Sequence, residues 1–175
     1  GPNSFTVRVT DGGGLTDEAT LEVAVSNVND TPTFTADPIN LSATEDTALT
    51  GQLAATDIDA GDTLTFSKVS GPTWLAVSST GALSGTPANG NVGANAFVVR
   101  VTDGSGATDD AALNITVSNV NDAPAFTVDP ILKADGSEGT AYTGQTLAGR
   151  ATEVDAGDTI NYSKVSGPAW LSVAS

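Results

Sequence analysis

Hydrophobic and polar residues alternate most regularly over residues 96–118, and this alternation predicts two β-strands joined by a short turn. In the first half, Phe97, Val99 and Val101 fall on one side of the predicted strand. The same side of the second half carries Ala111, Leu113, Ile115 and Val117. A period of two residues is typical of strands that bury one face. Between the halves, residues 103–106 read Asp-Gly-Ser-Gly, which favours a hairpin turn because these residues tolerate positive φ.

The same pattern occurs again elsewhere in the chain. Residues 5–32 align with residues 97–124 without a gap, and 19 of the 28 positions are identical. Residues 153–175 match residues 57–79, with 15 of 23 positions identical. Such self-similarity indicates a tandem repeat. We therefore predict a complete repeat over residues 32–123, the C-terminal hairpin of a partial repeat over residues 1–31, and the N-terminal half of a following repeat over residues 124–175. The chain is interpreted as a window of a longer array.

The complete repeat predicts an all-β fold. Seven short strands in about 90 residues, separated by closely spaced turns and without helical periodicity, indicate a β-sandwich. Trp74 is flanked by apolar residues and is expected in the core, although a surface tryptophan that stacks on sugars is the alternative.

The composition of the chain argues against several classes of function. The chain has 21 acidic and 6 basic residues, a formal charge of −15, and neither histidine nor cysteine. This charge argues against nucleic acid as a partner, and no apolar run is long enough for membrane insertion. Without histidine and cysteine, the usual zinc ligands, cysteine nucleophiles and Ser-His triads are missing. The remaining carboxylate pairs lie in repeated loops without surrounding pocket residues, so we do not expect an enzyme.

One loop concentrates the acidic residues. Asp57, Asp59 and Asp62 lie within six positions of one another. Alternate spacing points two carboxylates the same way, and calcium takes about six to eight oxygen ligands from carboxylates, amides and carbonyls. A calcium site and a solvated acidic loop are the two interpretations. Asp103 likewise is either a turn residue or a turn residue that also binds the ion.

Several motifs carry a resemblance to a known family. They are Gly-Asp-Thr-Leu-Thr-Phe at residues 61–66, Gly-Pro-Thr-Trp-Leu at 71–75, Thr-Gly-Ala-Leu-Ser-Gly-Thr-Pro at 80–87, and Asn-Val-Asn-Asp-Ala-Pro at 119–124. Their order resembles the dystroglycan-type cadherin-like domain, also called the putative-Ig repeat of bacterial surface proteins. The resemblance covers nearly all of the chain. It implies a seven-stranded Greek-key sandwich of the cadherin/Ig-like type, arranged in tandem in secreted adhesins.

The resemblance also implies calcium (Ca2+) between successive domains. The cadherin joint motif matches residues 27–32 and 119–124, the Asp-x-Asp loop matches residues 57–59 and 153–155, and an early glutamate matches Glu45 and Glu138. The implied metal ligands, together with Asp62 from the acidic loop, are Asn27, Asn29, Asp30, Glu45, Asp57, Asp59, Asp62, Asp103, Asn119, Asn121, Asp122, Glu153 and Asp155. Asparagine replaces the leading aspartate of both joints and the Asp-Arg-Glu motif is absent, which favours one or two ions per joint.

These observations lead to a structural hypothesis. The chain is expected to be an extracellular segment of a bacterial surface protein or fibre, with joints stiffened by calcium. Its expected partners are neighbouring repeats, or copies of itself joined head to tail so that the strands of one complete those of another. The alternative is a carbohydrate-binding module of a polysaccharide-degrading or matrix protein, with glycans as partners.

Overall fold

The fold is all-β, as the sequence predicts. A computed structural model describes residues 1–59 and 61–173; Ala60 of the predicted acidic loop and residues 174–175 of the last predicted segment lie outside the described residues. The described residues form thirteen β-strands and a single 3-10 helix at Asn89–Asn91. No helix among them has the length and hydropathy to cross a membrane.

Residues 33–118 build a sandwich of two sheets. One sheet has the order β4 (Ile39–Thr44), β11 (Thr108–Ser118), β10 (Gly93–Thr102) and β7 (Thr65–Ser70). The opposite layer pairs β3 (Thr33–Phe34) with β6 (Ala55–Thr56), and β5 (Leu49–Gln52) with β9 (Ala82–Gly85) and β8 (Ala76–Val77). Taking β3 with β4 and β5 with β6 as single interrupted strands gives the seven strands that were predicted. We call this unit the central domain.

The alternation that predicted the hairpin decides which side chains are buried. In β10, Phe97, Val99 and Val101 are buried, and in β11 the alternate residues from Ala111 to Val117 are buried as well. From the opposite layer, Phe34, Leu53, Leu75 and Leu83 complete the core. The two sheets therefore bury one face each, and the predicted β-sandwich is confirmed.

Trp74 packs at the edge of this core. Its ring meets Phe97 edge-on with 5.6 Å between ring centroids, and its indole Nε1 donates to Asn95 Oδ1 at 3.1 Å. The side chain is half-buried and lies against the core residues. Nearby, Lys68 Nζ donates to the carbonyl oxygens of Pro72 and Leu75 at 2.8 and 2.7 Å. This lysine therefore holds the turn that places Trp74 and Leu75.

Two smaller segments flank the central domain. On one side, β1 (Pro2–Thr10) and β2 (Thr16–Ala24) form a hairpin that pairs only with itself among the described residues. Its apolar side chains remain exposed; Phe5 is 52% exposed, whereas its counterpart Phe97 is 2% exposed.

On the other side, β12 (Ala125–Phe126) pairs with β13 (Ala151–Thr152), which reproduces the pairing of β3 with β6. The further strands expected over residues 153–173 are not formed in the described structure. The physical reason lies in the pairing of the central domain. There β7 pairs with β10 and β5 pairs with β9, and the 175 residues contain no second counterpart of β9 to β11 after residue 152. Trp170, the counterpart of Trp74, is consequently 71% exposed.

Candidate metal-binding joints

The first joint, residues 27–32, is held against the acidic loop of the central domain. Asp59 accepts two hydrogen bonds from it: Asn27 Nδ2 donates to Oδ1 at 2.8 Å, and the Asp30 backbone N–H donates to Oδ2 at 2.7 Å. Within the loop, the Asp59 N–H donates to Asp57 Oδ1 at 2.8 Å. The other carboxylate oxygen of Asp57, Oδ2, is buried without a hydrogen-bond partner.

Asp103 joins the turn between β10 and β11 to the same joint. Its Oδ1 accepts the backbone N–H groups of Ser105 and Ala107 at 2.9 and 2.8 Å, which closes the turn. Its Oδ2 accepts Asn29 Nδ2 at 2.8 Å. This side-chain bond, followed by the backbone N–H donors of the turn, lowers the pKa of the Asp103 carboxyl. Asp103 therefore serves the turn and the joint together.

The three acids of the loop crowd one another. Asp57, Asp59 and Asp62 each offer a carboxylate oxygen, and these oxygens lie within 4.8 Å of one another. Desolvation, and then the negative charges of Asp57, Asp103 and Asp59, raise the pKa of the Asp62 carboxyl. Like charges at this spacing repel unless a cation compensates them.

A second acidic group forms at the second joint, residues 119–124. It combines Glu45 from the end of β4, Asp122 from the joint and Asp155 from the loop after β13, with carboxylate oxygens within 4.8 Å of one another. Glu45 is 0% exposed and Asp155 is 6% exposed. Glu45 Oε1 accepts the Val120 N–H at 2.5 Å, and Asp155 Oδ2 accepts the Asp122 N–H at 2.6 Å. Three segments distant in sequence therefore meet around the joint.

Two oxygens of this second group have no partner. Glu45 Oε2 and Asp155 Oδ1 are both buried and accept no hydrogen bond from the described residues. A buried carboxylate oxygen without a donor is costly, because its hydration is lost and nothing replaces it. A cation held by hard oxygen ligands would compensate both atoms, and carboxylate, amide and carbonyl oxygens are the donors that calcium takes. The residues of the second joint therefore fit the predicted ion.

Comparison with known proteins identifies the domain. A family model described as bacterial Ig domain matches residues 29–116, which is half of the chain. The chain belongs to the bacterial Ig domain family. Membership of this family suggests a structural or adhesive role outside the cell.

Several solved structures are similar to this chain, and the two protocadherin structures among them share its fold. The protocadherin gammaB4 extracellular domain is 20% identical with a TM-score of 0.62, over 89% of this chain and 29% of its own. A protocadherin gammaB7 structure of domains EC3–6 is 19% identical with a TM-score of 0.62, over 89% and 44%. An endo-fucoidan hydrolase of glycoside hydrolase family 107 is 26% identical with a TM-score of 0.48, over 74% of this chain and 20% of its own. The chain thus spans less than half of each of these proteins. No protein of curated function matches it.

The predicted ligands of the bacterial Ig domain divide between its two ends. The first joint gathers Asn27, Asn29, Asp30, Asp57, Asp59, Asp62 and Asp103. The second gathers Glu45, Asp122 and Asp155, and Glu153 supports them by accepting the N–H groups of Val154 and Asp155. Asn119 and Asn121 are exposed, and the Asn121 amide donates to the Asp122 carbonyl. Glu138 is exposed and is a member of neither group.

Two residues at the second joint were not predicted. Asn89 Nδ2, from the 3-10 helix, donates to Asp122 Oδ2 at 2.8 Å. No sequence signal marks Asn89, because it lies in a short 3-10 helix without a recognisable motif, 33 residues before its partner. Asp158 is the counterpart of Asp62, and its N–H donates to the Asp155 carbonyl as that of Asp62 donates to the Asp59 carbonyl, both at 3.3 Å. The internal repeat was sufficient to find Asp158.

Proposed function

We propose that this chain is a tandem-repeat segment of a secreted bacterial surface protein or fibre, of the dystroglycan-type cadherin-like class, and that calcium stiffens its joints. The repeated sequence and the cadherin-like fold support the tandem arrangement. Each joint is only a few residues long and contacts the next repeat through hydrogen bonds, which leaves little room for bending.

The observation that carries the calcium proposal is the pair of buried, unpartnered oxygens at the second joint. Glu45 belongs to the central domain, Asp122 to the joint and Asp155 to the following segment. Their carboxylates come together only when the three segments are aligned, and they repel one another there. A bound calcium ion supplies the positive charge that this arrangement lacks. Ligand binding to the aligned state alone shifts the population toward it, which is the proposed mechanism of stiffening.

Calorimetric titration of the chain with calcium tests this proposal. Glu45→Gln should abolish the binding event assigned to the second joint, because an amide nitrogen replaces one carboxylate oxygen and one negative charge is lost. Glu22→Gln is the matched control, since Glu22 is exposed on β2 and its substitution removes the same charge. Equal binding by the wild type and Glu45→Gln would contradict the assignment of calcium to this joint.

The proposed partners include neighbouring repeats and further copies of the chain. The exposed face of β1–β2 is equivalent to the face of β10–β11 that the core of the central domain covers. Residues 124–173 carry counterparts of covering residues; Tyr162, Trp170 and Leu171 correspond to Phe66, Trp74 and Leu75. The tail of one copy therefore suits the head of another, and a contact of this heterologous kind builds a filament. Light scattering tests the proposal: mass should rise with concentration, and a strict monomer would contradict it.

A carbohydrate-binding module is the second candidate, because one observation favours it. Trp170 is exposed and meets Tyr142 edge-on at 6.1 Å, and both rings line a cleft of about 460 Å³ together with Glu138. Exposed aromatic rings can stack on sugars. The equivalent Trp74, however, packs against Phe97 in the central domain, which favours a core role for both. A glycan array distinguishes the candidates, since binding lost in Trp170→Ala would support the module.

A further inference from the structure

The two joints share one hydrogen bond to an aspartate of the following loop, and they differ in whether the other oxygen of that aspartate has a partner. At both, the backbone N–H of the joint aspartate donates to the second acid of the following loop, Asp30 to Asp59 at 2.7 Å and Asp122 to Asp155 at 2.6 Å. At the first joint, the other oxygen of Asp59 accepts the Asn27 amide at 2.8 Å. At the second joint, the equivalent oxygen of Asp155 is buried and has no partner.

We propose that Asn27 closes the first joint without a cation and thereby sets how far this joint depends on calcium. A carboxylate only accepts hydrogen bonds, so an amide nitrogen is a matched and uncharged partner for Asp59 Oδ1. Together with the Asp30 N–H, it leaves both oxygens of Asp59 satisfied. The contact between the joint and the loop is therefore made before any ion binds, and a bound ion would compensate the one buried oxygen of the loop that stays unpartnered, Asp57 Oδ2.

The contact made by Asn27 decides this behaviour, since the equivalent residue of the second joint, Asn119, is also an asparagine but is exposed and leaves Asp155 Oδ1 without a partner. An aspartate at this position would place a second carboxylate against Asp59, at the distance where the amide now donates. The surroundings would oppose it further, because Asp57 and Asp62 are grouped with Asp59. Without a cation the two carboxylates would repel and the joint would open. With a cation they would both become ligands. Asn27→Asp should thus convert a joint that is closed in either condition into one that closes only with calcium.

Amide hydrogen exchange, followed by NMR on the full chain, tests the proposal at the Asp30 N–H. In chelator the wild type should exchange this proton about tenfold more slowly than an unprotected amide, as expected for a hydrogen-bonded group that opens locally. Asn27→Asp should lose that protection in chelator and regain it in millimolar calcium. Asn3→Asp is the matched control, since Asn3 is exposed on β1 and the substitution adds the same charge. Protection of β10 and β11 amides shows that the central domain stays folded in each variant.

This inference rests on the proposed function only for the measurements made in calcium. The measurements in chelator test it separately. An unprotected Asp30 N–H in wild-type protein with chelator would overturn the inference, even if calcium binds. Unchanged protection in Asn27→Asp with chelator would overturn it as well. Loss of protection in chelator that calcium does not restore would overturn the assignment of calcium dependence to residue 27. The predicted pattern is loss in chelator with recovery in calcium, confined to Asn27→Asp.

Discussion

Removing calcium should lower the stability of the central domain by a measurable amount. At a free calcium concentration about 100 times Kd, binding to the folded state alone contributes roughly 2.7 kcal/mol. For a domain of this size, 1 kcal/mol shifts Tm by about 4–8 °C, so chelation should lower Tm by about 10–20 °C. We assign this expected increment to Glu45 and Asp155, whose unpartnered oxygens are buried. Thermal unfolding followed by circular dichroism, in chelator and in millimolar calcium, measures it.

Single substitutions show which residues cause the expected change in Tm between chelator and calcium. Asp155→Asn should retain Tm in chelator, because the new amide nitrogen can donate where two carboxylates faced each other, but its response to calcium should fall. Asp59→Ala should lower the response through the first joint. Asp135→Asn, an exposed residue of the same flanking segment, should respond as the wild type does. The same Tm in chelator and calcium for the wild type, together with no change in Asp59→Ala, would refute the calcium hypothesis.

Three further expectations concern single residues. Trp74→Ala should destabilise the central domain by about 3 kcal/mol in urea unfolding, since the contact with Phe97 is lost, and wild-type tryptophan emission should contain a blue-shifted component. Asn29→Ala should lower stability at pH 7 in chelator because it removes the main cause of the low pKa of Asp103. The stability that a lowered pKa confers is present above the unfolded value of about 3.9 and is lost as pH falls through the folded pKa, so this difference should vanish in strong acid. Asp62→Asn should raise Tm in chelator, because desolvation and the negative charges of its acidic neighbours raise the pKa of the Asp62 carboxyl.

Much of the fold could be predicted from local pattern. The alternation of β10 and β11 identified the buried side chains correctly because a strand with one buried face has a period of two. Equivalent contacts follow the repeat as well: Lys164 Nζ donates to the carbonyl oxygens of Pro168 and Leu171, as Lys68 Nζ donates to those of Pro72 and Leu75. Most of the fold of the central domain could therefore be predicted from the alternation of residues and from the comparison of the repeats.

The candidate joints could be predicted only in part. Their acids follow motifs, but the resemblance did not say at which joint Glu45 lies. It meets Val120 across 75 residues, a contact set by the parallel pairing of β4 with β11. The contact of Asn89 with Asp122 depends in the same way on how the short 3-10 helix packs. The exposed strands of the first hairpin and the unpaired residues 153–173 depend on which partners are present, and a local pattern does not contain that information.

Anomalous diffraction from crystals grown in calcium tests the central claim most directly. The account predicts an anomalous peak at the second joint, bound by Glu45 Oε2, Asp155 Oδ1 and Asp122, and its loss in Glu45→Gln crystals. No peak at saturating calcium, with these three carboxylates in their present positions, would contradict the claim that the joints of this bacterial Ig domain bind calcium.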